Sequence, residues 1–435
     1  MLAALALAGL SEVSAKTNGA KSSAAKHASA ALDARGFEAW RSRFVAKLIA
    51  SNRIDPSDAH RILDAIAYDG EVVTTLGKLT DFQPPMRDYL AQRVSPERLA
   101  KGRELMTAHA DLLAALEARY HVDGTAILAV WCMETRFGEA ELKYDAVRSL
   151  ATLAYAGPRK SFFESQLTTL IGLIARGAIR FDHPKASIDG GLGQAQFMPD
   201  AFAHYAVDWD HDGVADIWTS MPDALASIAS YLSDAGWRHG GPYFVRAAGR
   251  VKPGDAKKRQ TLADWAKAGV APAEGSFDAS LLARVFQPDT PKGGWLLAFT
   301  DFDAFKRYNG ASRYAVSASL LADGFAGAPV PDPPWPAPAN ELSIADIALL
   351  QAGLARSGFD PGVSDGRYGE RTWRAMNAFL KAHGAKPADY PTPSVLRMVE
   401  SAAPERAAPE RATSESAAPE SATPESATPG RLPPP

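Results

Sequence analysis

Apolar residues recur at helical spacing along most of the chain. Phe37, Trp40, Phe44, Leu48 and Ile49 stand three or four apart, so one face of the segment opening at Gly36 is apolar. The same periodicity predicts helices over 57–69, 95–120, 124–137, 160–176, 222–235, 256–268 and 276–286. Ser95-Pro96-Glu97 opens the second of these with a capping hydroxyl and a proline in the first turn, where a missing N–H costs nothing. Strand-like runs are few and short; 294–299 and 314–319 are the examples. The expectation is a mainly α domain over 35–322 with few short strands.

Composition shifts divide the rest. Residues 16–34 are small and polar and read as a linker, and 323–341 is dense in proline and reads as a semi-rigid one. Between 342 and 400 three apolar faces follow one another: Ile344, Ile347, Leu350 and Leu354; Trp373, Met376, Phe379 and Leu380; Val395, Leu396 and Val399. These predict a small three-helix unit. The tail, 401–435, is Ala, Pro, Glu, Ser and Thr, with Glu405, Glu410, Glu415, Glu420 and Glu425 in step, and it has too little apolar surface to fold. At the other end, the apolar run Leu2 to Leu10 precedes Val13-Ser14-Ala15. That reads as a signal-peptide remnant over 1–15, lacking the usual basic n-region, and predicts export to the periplasm or cell envelope. No run of 18 apolar residues exists to cross a membrane.

The 435 residues suggest two or three domains. Lys and Arg number 47 against 50 Asp and Glu, so the net charge is −3 and no basic excess points to nucleic acid. A single cysteine, Cys132, excludes an intrachain disulfide and a cysteine-based zinc cage.

Three stretches carry candidate chemistry. In 124–137 the run is apolar until Glu134, which shares a helical face with Ile127, Val130 and Trp131. Gly138 is a candidate C-cap, so Glu134 falls at the negative end of its helix. Desolvation and the helix end both favour the neutral carboxyl, which is what a general acid requires. The bland alternative has Glu134 reaching solvent or pairing with Arg136. Second, 187–199 is a glycine-rich loop in which Ser187 and Gln196 are candidate donors to sugar hydroxyls or N-acetyl groups. Third, Asp208, Asp210 and Asp212 occupy positions 1, 3 and 5 of a loop with Gly213 at 6 and the Val214 carbonyl at 7, the opening of an EF-hand-type calcium loop. Position 12 is Thr219 rather than Glu. Asp223, at position 16, is the candidate to close a longer loop, and Asp216 is a weaker one. Calcium, or sodium in a relaxed site, would brace the chain between Gln196 and Tyr231; a solvated acidic turn is the alternative.

Met133-Glu134-Thr135-Arg136-Phe137-Gly138, followed by Gly193-Gln194-Ala195-Gln196-Phe197-Met198-Pro199, resembles the membrane-bound lytic transglycosylase B family. The resemblance continues through 208–237 and Arg307-Tyr308-Asn309 and covers most of 40–322. It implies a lysozyme-like helical fold and an enzyme that cleaves peptidoglycan glycan strands between MurNAc and GlcNAc, leaving 1,6-anhydro ends without consuming water. It implies that Glu134 is the sole catalytic carboxylate, acid first and base second. Ser187, Gln196, Tyr231, Tyr308 and Asn309 would bind substrate, Asp223 would close the metal loop, and no organic cofactor is implied. The chain departs from the family at Cys132, at Phe137 where Trp is common, and at Asp200 where Ser often follows the proline. The motif Asp365-Gly366-Arg367-Tyr368-Gly369-Glu370-Arg371-Thr372 in turn resembles the three-helix peptidoglycan-binding domain, although Leu380 stands where Gln is frequent. Two other readings remain open at this stage: a hydrolytic, lysozyme-type muramidase and a non-catalytic wall-binding protein. Protein partners are not legible.

Overall fold

The computed structural model describes residues 34–51, 65–78, 84, 86–157, 159–180, 184–252, 255, 256, 258–287, 294–330, 342–388 and 390–402. The expected signal segment, the 16–34 linker up to residue 33, residues 57–64 of the second predicted helix, the proline-rich stretch 331–341 and the tail from 403 lie outside these residues.

The body is helical, as its periodicity requires. Helices α1 (Ala34–Ala50), α2 (Gly70–Lys78), α3 (Met86–Arg93), α4 (Pro96–Ala108) and α5 (Ala110–Tyr120) lead into α6 (Gly124–Thr135). The predicted helix over 95–120 is two helices that meet at His109, and the Ser95 side chain caps the first by accepting from the Arg98 N–H. Helix α6 is buried on almost every side, with only Thr125 partly exposed, because GTAILAVWCMET has no polar stripe to offer water. After strand β1 (Tyr144–Asp145) come α7 (Ala146–Ala156) and α8 (Lys160–Ala175), a closely packed pair, then β2 (Lys185–Ala186), α9 (Pro199–Tyr205) and α10 (Met221–Asp234). Strands β1 and β2 pair antiparallel and hold the glycine-rich loop against α7.

Between α10 and the next long helix the chain forms a sheet. Strands β3 (Phe244–Gly249), β4 (Arg259–Thr261), β5 (Val270–Pro272), β6 (Leu282–Phe286) and β7 (Leu296–Ala298) lie in the order β4-β6-β7-β3-β5, all antiparallel, with the short helix α11 (Leu262–Lys267) between β4 and β5. The expectation of helices over 256–268 and 276–286 is corrected here: the first is β4 followed by α11, and the second ends in β6. The β6 sequence LARVF buries residues on both faces. Val285 and Leu297 face a local core around Trp265, while Phe286, Leu296 and Ala298 join the main core. A strand buried on both faces shows no polar alternation and mimics a helix fragment.

Helices α12 (Thr300–Tyr308) and α13 (Ser312–Phe325) close the body. The predicted strand at 314–319 lies inside α13. Its alternation of Tyr314, Val316 and Ala318 with small residues misleads because 314–319 is buried throughout; Ser317 and Ser319 satisfy their hydroxyls on carbonyls four residues back. Helix α13 packs on α6, α4 and α3.

Helices α14 (Ile344–Arg356), α15 (Glu370–Ala382) and α16 (Pro393–Ala402) form the expected three-helix unit around its own apolar core of Leu350, Leu354, Met376, Phe379 and Val399. Buried Gln351 organises it. Its amide N–H groups reach Asp365 Oδ1, the Arg367 carbonyl and Thr372 Oγ1, and its Oε1 accepts from the Gly366 N–H at 2.9 Å.

Candidate active site

Glu134 sits in the last turn of α6. Arg136, Phe137 and Gly138 all take left-handed backbone there (φ 52°, 62° and 80°), so the helix stops within one turn of the acid. Thr135 secures the stop: its hydroxyl donates to the Gln194 carbonyl at 3.0 Å and accepts from the Gly138 N–H at 3.1 Å. Phe137, at the departure from the family's Trp, packs edge-on against Trp131, with ring centroids 5.7 Å apart.

Glu134 is 7% exposed and has no ion-pair partner among the described residues. Burial pushes its pKa up to about 8; the Tyr314 hydroxyl opposes this slightly and the Asp189 carboxylate adds to it. Three phenols face the acid from three helices: Tyr89 of α3, Tyr308 of α12 and Tyr314 of α13. Tyr89 and Tyr314 are buried; the Tyr314 hydroxyl is directed at the Glu134 carboxyl, and the Tyr89 hydroxyl has no hydrogen-bond partner among the described residues. The Tyr89 ring lies between the guanidiniums of Arg93 and Arg313, 3.7 and 4.9 Å from its centroid. Neither tyrosine is singled out by the sequence, because an aromatic on a helix face reads as core.

The glycine-rich loop is a small folded hairpin. Leu192 and Phe197 exchange backbone hydrogen bonds, and the Ser187 N–H donates to the Gly191 carbonyl. Ser187 and Gln196 come together over Gly191, where an added Cβ would lie 2.8 Å from Ser187 Oγ and 3.0 Å from Gln196 Oε1. Only glycine fits between them. Gln196 itself has left-handed backbone (φ 52°), and its amide donates to the Gly191 and Gly193 carbonyls at 3.2 and 2.9 Å. The expectation that Ser187 and Gln196 act as donors is therefore not met for Gln196, whose two N–H groups are already engaged by the loop.

Tyr231 and Tyr308 lie on the same wall. Their rings are 4.6 Å apart, Tyr205 extends the series at 4.7 Å from Tyr231, and Phe197 sits behind. Their hydroxyls are engaged inward: Tyr308 donates to the Ala195 carbonyl and Tyr231 to the Arg307 carbonyl, both at 2.7 Å. Ring faces are what this wall offers to a ligand. Asn309 Oδ1 accepts from the Ala311 N–H, which shapes the turn from α12 into α13.

The acidic loop gathers one carboxylate oxygen each from Asp208, Asp210 and Asp212 within 4.8 Å of one another. Gly213 N–H and Asp212 N–H donate back to Asp208, and Gly213 has the positive φ (93°) that the sixth position of such a loop needs. This convergence of hard oxygen donors fits a calcium-type ion. Asp223 stands apart from the trio: fully buried, it accepts from the Trp209 and Asp216 N–H groups, both at 2.8 Å, and so brackets the loop. The Val214 carbonyl accepts from the Asp216 N–H.

Gln194 joins all three parts. Its Oε1 accepts from the Trp131 indole at 2.9 Å, its amide donates to the Trp218 carbonyl at 3.0 Å, and its N–H donates to the Ile217 carbonyl. Asp200 accepts from Gln166 and Thr169, tying α9 to α8, so the departure from Ser has a structural use. Cys132, fully buried with its pKa pushed up to about 12, is an inert packing residue.

A mainly helical body whose buried central helix ends on a desolvated carboxyl is of the lysozyme-like class. The chain belongs to the transglycosylase SLT-domain family, whose pattern matches residues 36–323. It is 27% identical over 302 residues to membrane-bound lytic murein transglycosylase B of Escherichia coli, a match covering 65% of this chain and 82% of that protein. Among solved structures it is similar to SltB3 of Pseudomonas aeruginosa in complex with NAG-anhNAM-pentapeptide (TM-score 0.63, 34% identity, 84% of this chain and 99% of that one). It is also similar to Escherichia coli Slt35 in complex with calcium (TM-score 0.57, 25% identity, 66% of this chain and 92% of that one).

Proposed function

We propose that the protein is a peptidoglycan lytic transglycosylase in which Glu134 supplies and then recovers the proton. The observation that carries this reading is the buried Glu134 carboxyl, without a counter-charge among the described residues and held neutral at physiological pH by desolvation. Neutral Glu134 donates its proton to the glycosidic oxygen between MurNAc and GlcNAc. Once ionised, it takes the proton of the MurNAc C6 hydroxyl, which closes the 1,6-anhydro ring. The substrate's N-acetyl group helps to stabilise the sugar cation. The half-buried aromatic wall of Tyr231 and Tyr308 suits the apolar face of a sugar, and the loop of Ser187 and Gln196 suits its polar edge. The anhydro sugar bound to the similar SltB3 supports this product class.

Asp208, Asp210 and Asp212, with the Val214 carbonyl, would hold calcium, which supplies charge neutralisation that keeps the loop folded; Asp223 braces the loop from behind. No organic cofactor enters the reaction. The three-helix unit at 342–400 serves as the wall anchor, and the site of action is the cell envelope of a bacterium. The SltB3 match spans more of the chain than residues 36–323, which supports a shared C-terminal unit.

Mass spectrometry of murein digested by the purified protein tests the reading. Anhydro ends are expected; reducing ends would instead establish hydrolysis, and an absence of products would leave wall binding alone.

A further inference from the structure

Asp189 lies two residues beyond Ser187 on the glycine-rich loop. The Ser187 hydroxyl donates to Asp189 Oδ1 at 2.6 Å; the other acceptor within reach, the Gly191 carbonyl, is 3.5 Å away. A serine hydroxyl has one hydrogen and two lone pairs. The hydrogen goes to the carboxylate, and the Gly191 N–H, at 3.0 Å, takes one lone pair. What remains to face a ligand is a single lone pair. Gln196 is in the same condition, since both its N–H groups go to loop carbonyls and only Oε1 is left.

We propose that Asp189 is a positioning residue that turns Ser187 into an acceptor, so that Ser187 Oγ and Gln196 Oε1 together select sugar-borne donors, a hydroxyl O–H or an acetamido N–H. This rests on the glycan-cleaving reading above and adds the polarity of the subsite. It also assigns Asp189 a second effect. When ionised, Asp189 adds to the rise that burial gives Glu134, and so helps keep the acid protonated. The other groups facing Glu134 are the phenols of Tyr89, Tyr308 and Tyr314. Burial pushes Asp189 itself above the usual carboxylate range, and the Ser187 hydroxyl, the N–H groups of its own residue and of Gly191, and the charge of Arg159 oppose that rise.

The test uses the full-length chain with carbon-13-labelled glutamate, the Glu134 signal being assigned by its loss in Glu134→Gln. Carboxyl titrations are recorded for wild type, Asp189→Asn and Asp189→Ala, beside pH profiles of kcat/KM on purified murein. The Glu134 midpoint and the basic limb of the profile are expected to fall together by about half a pH unit or more in both variants. Asp189→Ala, Ser187→Ala and the double variant are expected to raise KM by similar factors, without adding. An unmoved midpoint in variants that melt like wild type, or fully additive KM losses, would overturn the proposal. So would a thousandfold kcat loss rescued by azide with a glycosyl azide product, because Asp189 would then be a nucleophile. If wild type releases no product from murein, the glycan-cleaving reading fails, while the titration still decides what Asp189 does to Glu134.

Discussion

At the scale of single residues the molecule turns on the protonation of Glu134. Its folded pKa of about 8 lies above its ordinary value of 4.5, so between these limits the folded state holds a proton that the unfolded state has released. Stability contributed at this site therefore falls as pH rises from about 5 to 8. Glu134→Gln removes that dependence. The variant is expected to gain on wild type by on the order of 2–4 kcal/mol as pH rises through this window, checked by denaturant titrations at pH 5 and pH 8. The same variant should lose roughly 10²–10⁴-fold in kcat on murein, as for removal of a general acid. Wild-type kcat/KM should fall above about pH 8, where the free enzyme's acid ionises. Gly191→Ala is the complementary probe. The added methyl meets Ser187 Oγ, Gln196 Oε1 and, at 3.3 Å, the Gln196 carbonyl, so KM should rise at least several-fold and the melting temperature should fall by a few degrees.

Among the elements, α6, the glycine-rich loop and the acidic loop are coupled through Gln194. The Trp131 indole holds one end of its amide and the Trp218 carbonyl the other, so the loop that gathers Asp208, Asp210 and Asp212 is fastened to the helix that carries the acid. Three carboxylates within 4.8 Å repel one another until a cation sits among them. Calcium is expected to raise the melting temperature by several degrees at millimolar concentration. Asp210→Asn should weaken that response while leaving in place the two backbone N–H groups that Asp223 accepts. A melting temperature indifferent to calcium and to chelator would remove the metal from the account.

For the whole molecule, the catalytic body and the three-helix unit have separate apolar cores, so the second can be deleted without opening the first. On the proposed wall-anchor role of the three-helix unit, a chain ending at residue 330 should keep its kcat on soluble glycan fragments and lose roughly ten-fold or more in rate on intact sacculi, for want of a tether. Comparison of the two substrates in one assay checks it. The sequence alone determined the helical body, the acid at the end of an apolar helix, the paired polar loop and the acidic loop, because each is written locally: an unbroken apolar run up to Glu134 with Gly138 beyond it, glycines between Ser187 and Gln196, carboxylates at alternate positions from Asp208. Tertiary structure alone decided the rest. Strand β6 buries residues on both faces and helix α13 is buried along most of its length, so neither shows a clean amphipathic period and neighbours set their type. Tyr89, Tyr314 and Asp189 reach Glu134 from distant parts of the chain, and the fold itself strips water from the carboxyl. Local pattern records which groups are available; only packing sets their distances and dielectric, and those fix where the proton resides.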